Sequence, residues 1–186
     1  MSAAATVAGA PVSIAEVDAR EAALRESPLR AALPRPNTSE GRQLRRWLTQ
    51  LLVTERVVAI EAATLGITAA SAPTEADVLP DVTARLEIGS IAAGALADPV
   101  ARALYAHITA GIDVDAATVA DYHRRNPQRF PAEPEPEVAI AEMLRGAARR
   151  RAFRIWLDQR RAALVWLAPG YEHPGDPRQP DNVHRH

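Results

Sequence analysis

Residues 114–130, VDAATVADYHRRNPQRF, are the stretch from which we interpret the chain. Asp113 or Asp115, both close before the first alanines, can cap a helix. Pro127 ends that helix, because proline excludes the preceding residue from helical torsions. Tyr122 and Phe130 lie on either side of this break and are expected to be packing groups that anchor the loop. The stretch therefore predicts a helix over 114–125 followed by an aromatic-anchored turn.

The chain on either side of this stretch also has the patterns of helices. Ser13 and Glu16 have the capping-box spacing that starts a helix. A broad apolar face followed by Gly66 is typical of a central helix that ends in a left-handed cap. The helices expected in addition to 114–125 cover residues 13–26, 42–66, 82–96 and 137–167, and one more opens at Asp98-Pro99.

The composition agrees with a helical fold. Apolar residues make up 47% of the chain but aromatic residues only 4%, so the core must come from small and branched side chains on closely packed helices. A chain of 186 residues is long enough for one self-stabilising domain. We predict an all-α single domain over 1–167, with its N- and C-terminal helices packed around the central helix 42–66. An irregular Pro/His-rich tail is expected over 168–186.

Charge and residue usage exclude several classes of function. The formal net charge of -1 argues against a general attraction to nucleic acid or to anionic membranes, so neither is an expected partner. The absence of cysteine excludes disulfides, thiolate metal sites and a cysteine nucleophile. The chain also lacks a Gly-rich phosphate loop, a G-x-S-x-G elbow, an HExxH motif and a dinucleotide fingerprint.

The N-terminal residues, MSAAATVAGAPVS, have neither a basic region nor an apolar run typical of a signal peptide. No run of about 18 apolar residues occurs anywhere, so no transmembrane helix is expected. These two observations predict a cytoplasmic protein.

The order of the elements resembles the helical chaperone module of the SurA and parvulin-type peptidyl-prolyl isomerase family. The opening VAGAPVSIAEVD, residues 7–18, is similar to the start of that module, and LGIT, residues 65–68, resembles the exit from its alanine-rich helix. Residues 114–130 resemble the signal of helix, aromatic, Asn-Pro and Phe that introduces the family's isomerase domain. The last helix, 137–167, resembles the closing helix that packs back onto the first.

The chain departs from the family at the catalytic domain. Where the family inserts a parvulin domain, this chain passes from Phe130 through PAEPEP directly into the last helix, which leaves no room for a second fold. The resemblance therefore implies a chaperone-like, peptide- or partner-binding helical module that lacks prolyl isomerase activity.

Glu55 and His107 are the candidate catalytic residues. Both fall on helix faces that otherwise look buried, and His107 is expected to point inward. A desolvated glutamate has a raised pKa and can share a proton with a nearby imidazole, as a general acid/base pair requires. The alternatives are a structural polar pair, or a pairing of Glu55 with an arginine.

Three histidines of the tail, His173, His184 and His186, are the candidate metal ligands, together with neighbouring carboxylates. Imidazole and carboxylate groups suit zinc or another divalent metal. The alternative is a loose terminal segment that binds no metal.

Arginines are concentrated in the last helix, where seven lie within residues 145–161. Their guanidinium groups can bind a carboxylate or phosphate bidentately, which predicts an anionic small-molecule ligand. The alternative is a solvated face whose charge matches the helix dipole. The candidate ligand-binding residues are Tyr122, Arg150, Arg154 and Trp156.

Two classes of function follow from these patterns. A chaperone-like module that holds a peptide or partner protein requires an open apolar groove. The alternative is a small-molecule enzyme, acid/base or metal-assisted, for example in specialised metabolism, that reuses the foldase scaffold as a pocket. Such an enzyme requires an enclosed cavity with converging polar groups.

Overall fold

The computed structural model describes residues 2–130 and 135–178. These residues are mostly helical and include a small three-stranded antiparallel sheet, so the all-α prediction is approximately right but missed the sheet. The helices are α1 Ile14–Glu26, α2 Ser39–Thr64, α3 Glu75–Val78, α4 Val82–Ile88, α5 Ser90–Ala95, α6 Pro99–Thr109, α7 Ala116–Arg125 and α8 Pro136–Leu164. The strands are β1 Ala3–Val7, β2 Ala10–Ser13 and β3 Val165–Leu167.

The chain divides into two compact units. The first contains residues 1–61 and 159–186, and the second contains residues 62–158. The prediction of one domain over 1–167 with a separate tail stays a prediction. Within the described residues, no helix has the length and apolar character needed to cross a membrane.

The sheet belongs to the first unit and has the strand order β2-β1-β3. Val7 of β1 pairs with Ala10 of β2 on one side and with Val165 of β3 on the other. The last helix was expected to continue to residue 167, but it ends at Leu164 and the chain enters β3 directly. Valine and tryptophan favour extended structure, and β1 supplies the backbone partners that the helical pattern did not reveal.

A two-residue turn joins β1 to β2. Its central residues, Ala8 and Gly9, have φ angles of 48° and 82°. Two positive φ angles in succession are typical of a type I′ turn, whose twist matches that of the flanking strands. Glycine adopts this conformation without a steric penalty, so Gly9 fixes where the hairpin reverses.

We expect Gly9→Ala to lower the free energy of unfolding by about 1 kcal/mol, because an L-residue pays that order of cost in the left-handed region. A methyl group at Gly9 meets no atom within 4 Å, so the loss reports backbone conformation alone. Gly111 has equally open surroundings without a positive φ, and Gly111→Ala is the matched control. Urea unfolding of both variants makes the comparison, and equal stabilities would contradict the turn assignment.

Helix α2 is bonded to other helices of the first unit through side chains. Arg45 of α2 donates hydrogen bonds to Asp18 at 2.6 Å and to Glu21 at 2.8 Å, both on α1. From the end of α8, Arg160 donates to Glu61 of α2 at 2.6 Å. The capping box that starts α1 is present as predicted. The core packed around these helices includes Val7, Val12, Val17, Leu48, Val53 and Val57.

A buried amide joins three parts of the first unit. Gln50 of α2 is fully buried, and its amide nitrogen donates to the carbonyl oxygen of Tyr171 at 2.8 Å. Arg161, near the end of α8, donates to the Gln50 side chain and to the hydroxyl of buried Thr54. The start of the irregular segment that follows β3 is therefore hydrogen-bonded to α2.

We expect Gln50→Leu to lower the free energy of unfolding by about 2 kcal/mol, because the carbonyl of Tyr171 loses its donor and Arg161 loses an acceptor in a buried setting. Gln159→Leu is the control, since Gln159 is exposed on α8. Thermal unfolding followed by circular dichroism measures both. A loss no larger at position 50 than at position 159 would show that the amide does not join these segments.

The second unit contains the shorter helices. Gly89, with a φ of 88°, separates α4 from α5, so the single helix expected over 82–96 is two. Asp98 caps α6, and proline occupies the first position of that helix, as predicted. Asp115 caps α7, which begins at Ala116, two residues after the predicted start at residue 114. Helix α8 is continuous past Gly146. The core of this unit includes Val78, Ile88, Leu96, Leu104, Ile140 and Phe153.

Candidate functional site

The two candidate catalytic residues are placed differently from the expectation. Glu55 is half-buried, and its carboxylate forms an ion pair with Arg20 of α1, which is one of the alternatives considered from the sequence. His107 is exposed, so the expectation that it points inward is wrong. The buried face of α6 is formed by Ala101, Leu104 and Tyr105 and leaves His107 at the surface. An acid/base role for Glu55 and His107 stays a prediction, without the burial that motivated it.

We expect Glu55→Gln and Arg20→Gln each to lower the free energy of unfolding by less than about 1 kcal/mol, because partly exposed ion pairs contribute little. The double variant should lose less than the sum of the two single variants, since each change removes the same interaction. Denaturant unfolding of the three variants and the parent gives the coupling energy. Strictly additive losses would mean that the pair is not formed in solution.

The candidate metal ligands lie only partly within the described residues. The Nδ1 atom of His173 accepts a hydrogen bond from the backbone of Gly175 at 3.0 Å. His184 and His186 lie outside the described residues. In residues 2–130 and 135–178, no group of three or more histidines and carboxylates has the arrangement of a metal site. The zinc prediction for the tail therefore stays a prediction.

Arg150 forms an ion pair with Glu87 within the second unit. Its Nε and Nη2 atoms donate to one carboxylate oxygen of Glu87, at 2.9 and 2.8 Å. The Arg150 side chain is buried, whereas that of Glu87 is 42% exposed, so this pair joins α8 to α4 at the edge of the solvent. Arg154 donates to the backbone carbonyl of Glu87 at 3.2 Å, and Trp156 stacks on Phe153 with ring centroids 5.4 Å apart.

Two of the four predicted ligand-binding residues share one pocket. Tyr122 and Arg150 line a pocket of about 280 Å³, which Arg154 and Trp156 do not line. Arg129 also lines it and donates to the Tyr122 hydroxyl at 2.6 Å. The Tyr122 ring meets Phe130 edge-on at 6.5 Å, as expected for the anchor of this turn.

A larger cavity in the same unit was not predicted from the sequence. It has a volume of about 420 Å³, and Tyr105, Arg145 and Arg149 are among the residues that line it. Burial raises the pKa of the Tyr105 hydroxyl, while the positive charges of Arg150 and Arg149 act in the opposite direction. Beside the cavity, the hydrogen bond from Arg145 holds the pKa of Asp113 below its usual value. Tyr105 was missed because the abundant alanines of α6 leave its buried face poorly defined.

The second unit also has an apolar groove between α4 and α5. Its volume is about 550 Å³, and its lining residues are Glu75, Val82, Arg85, Leu86, Ser90, Ala93, Gly94 and Ala97. Val82 is 72% exposed and Leu86 is 76% exposed. Glu75 and Arg85 form an ion pair at 2.5 Å, so the charged residues of the groove neutralise each other. We call this surface the α4/α5 groove.

The sequence of α4 contains signals for the α4/α5 groove. Helix α4 has apolar residues on two sides: Ala84 and Ile88 are buried, whereas Val82 and Leu86 are exposed. A short helix with apolar side chains beyond its buried face is a candidate for a second contact. The pattern was difficult to interpret because one long helix was expected where the chain breaks at Gly89.

Comparison with known proteins gives one partial match. A family of unknown function (DUF7158) matches residues 3–40, which contain β1, β2, α1 and the first residues of α2. No curated protein matches the chain, and no solved structure does. The matched part lies in the first unit, whereas the pocket, the cavity and the α4/α5 groove lie in the second.

Proposed function

We propose that the protein is a chaperone-like helical module that binds an apolar segment of a peptide or partner protein in the α4/α5 groove and lacks prolyl isomerase activity. The observation that carries this proposal is the exposure of Val82 and Leu86 beside a groove of small residues. Exposed aliphatic side chains grouped around a groove are characteristic of surfaces that contact another molecule. A module that shields apolar segments needs such a surface.

The shape of the α4/α5 groove favours an amphipathic helix as the bound segment. Val82 and Leu86 are four residues apart on α4, so they form one apolar row along the groove. Ala93, Gly94 and Ala97 have small or absent side chains, which lets a bound backbone approach closely. Helical peptides bind such grooves through apolar anchors spaced one turn apart. Because Glu75 and Arg85 neutralise each other, the groove should bind peptides of either net charge.

The SurA-like nature of the scaffold is part of the same proposal. Its support is the order of the helices and the aromatic anchor after α7, where Tyr122 meets Phe130. Helix α7 ends at Arg125 and α8 begins at Pro136, so no catalytic domain is inserted between them. A module of this kind would bind a polypeptide without isomerising its prolines.

The binding module has more support than the enzyme alternative. General acid/base catalysis requires groups with perturbed proton affinities that converge on a substrate. The Glu55 carboxylate forms an ion pair with Arg20, and His107 is at the surface. The α4/α5 groove, by contrast, meets the requirement of the binding function.

We expect the full chain to bind a fluorescein-labelled, leucine-rich amphipathic helical peptide, and Leu86→Glu to weaken that binding at least tenfold. Burial of one leucine side chain contributes about 1.5–3 kcal/mol, and a charge in its place must lose its water. Fluorescence anisotropy measures the dissociation constants. Leu86 is exposed, so circular dichroism should show the variant folded like the parent.

Val138→Glu is the matched control, because Val138 is also an exposed aliphatic residue of the second unit and does not line the α4/α5 groove. It should bind the peptide as the parent does. Equal binding by Leu86→Glu and the parent would rule out the groove as the site. Acceleration of prolyl isomerisation by the protein, measured on a proline-containing test peptide, would contradict the proposed loss of that activity.

A further inference from the structure

The second unit holds a cavity that the proposed function does not use. Its volume of about 420 Å³ is in the range of small-ligand sites. Helices α3, α6 and α8 all contribute to its walls. The lining residues are Pro73, Asp77, Val78, Tyr105, Ala106, Thr109, Glu142, Arg145, Gly146 and Arg149. Polar groups thus converge on the cavity from three helices.

Tyr105 is the most informative residue of this cavity. Its side chain is held in place by an edge-on contact with Phe153, with ring centroids 5.2 Å apart, and the residue is only 6% exposed. Among the residues that the structure describes, none forms a hydrogen bond with its hydroxyl group. The hydroxyl oxygen is not among the buried side-chain atoms that lack a partner, so it is accessible from the cavity. A bound molecule can therefore accept the hydrogen bond of this hydroxyl group in place of water.

Two arginines add donors to the same cavity. Arg149 donates from Nε to the carbonyl oxygen of Ile112 at 3.2 Å, and Arg145 donates from Nε to Asp113 at 2.8 Å. These bonds orient both guanidinium groups. In residues 2–130 and 135–178, their terminal nitrogens make no hydrogen bond, so they remain available as donors.

We propose that this cavity binds a small organic carboxylate, whose oxygens accept hydrogen bonds from the Tyr105 hydroxyl and from the guanidinium group of Arg149. A planar carboxylate matches the planar fork of arginine. The charge of Arg145 is already paired with Asp113, and Asp77 and Glu142 add two negative charges to the wall. Repulsion from these two acids is about twice as large for a dianionic phosphate as for a monoanion, so the wall favours the monoanion.

The test is a titration of the full chain with 4-fluorobenzoate, followed by fluorine NMR. We expect saturable binding to the parent protein and binding to Tyr105→Phe that is weaker by about tenfold, because a hydrogen bond to a charged group is lost. Arg149→Gln should weaken binding to a similar extent. The neutral analogue 4-fluorobenzamide should not bind, since it lacks the anionic group.

Arg151→Gln is the matched control, because Arg151 is exposed on α8 and does not line the cavity. It should bind 4-fluorobenzoate as the parent does, and so should Leu86→Glu, because the cavity and the α4/α5 groove are lined by different residues. Failure of peptide binding therefore leaves this proposal intact. Circular dichroism tests whether each variant is folded, and Arg149→Gln decides the question if Tyr105→Phe does not fold.

Three outcomes would overturn the proposal. The first is the absence of saturable 4-fluorobenzoate binding up to about 10 mM, the weak end of the affinity scale. The second is parent-like binding by folded Tyr105→Phe and Arg149→Gln. The third is clearly tighter binding of 4-fluorophenyl phosphate than of 4-fluorobenzoate, which would assign the cavity to phosphate esters instead of carboxylates.

Discussion

Bonds from arginine to oxygen atoms join the helices within each unit. Arg161 binds two buried side chains of α2 in the first unit, and Arg150 binds Glu87 in the second. Alanine-rich helices carry few large side chains, so apolar packing alone leaves their register poorly specified. A planar guanidinium group accepts only certain arrangements of oxygen atoms. The chain contains arginine but no lysine. All side-chain ammonium groups are therefore absent, and the cations that join its helices are guanidinium groups.

Local chemistry could be predicted from the sequence, and long-range pairing could not. The capping box at Ser13 and the positive φ of Gly66 each depend on a few neighbouring residues, and both are present in the structure. Strand β1 was not predicted because it is rich in alanine, which favours helices. In addition, β3, with which β1 pairs, is far away in sequence. The predicted inward orientation of His107 was wrong because the alanines of α6 are compatible with more than one buried face.

The candidate sites follow the same division. Tyr122 and Arg150 were predicted to bind a ligand from their residue types, and both line one pocket. Tyr105 and Leu86 were not predicted, because a hydroxyl group that lines a cavity and an exposed aliphatic side chain distinguish them. Neither property can be read from sequence without knowing what covers each side chain. The second unit thus offers an apolar surface and a polar cavity with separate linings.

The pairing of β1 with β3 has a consequence for how the protein is made. Val7 pairs with Val165, and the backbone nitrogen of Ala8 donates to the carbonyl oxygen of Leu164 at 2.8 Å. During synthesis, β1 leaves the ribosome long before β3, and closing so long a segment has an entropic cost that nearby contacts do not. The hairpin of β1 and β2 must therefore keep one open edge until Val165–Leu167 have been translated.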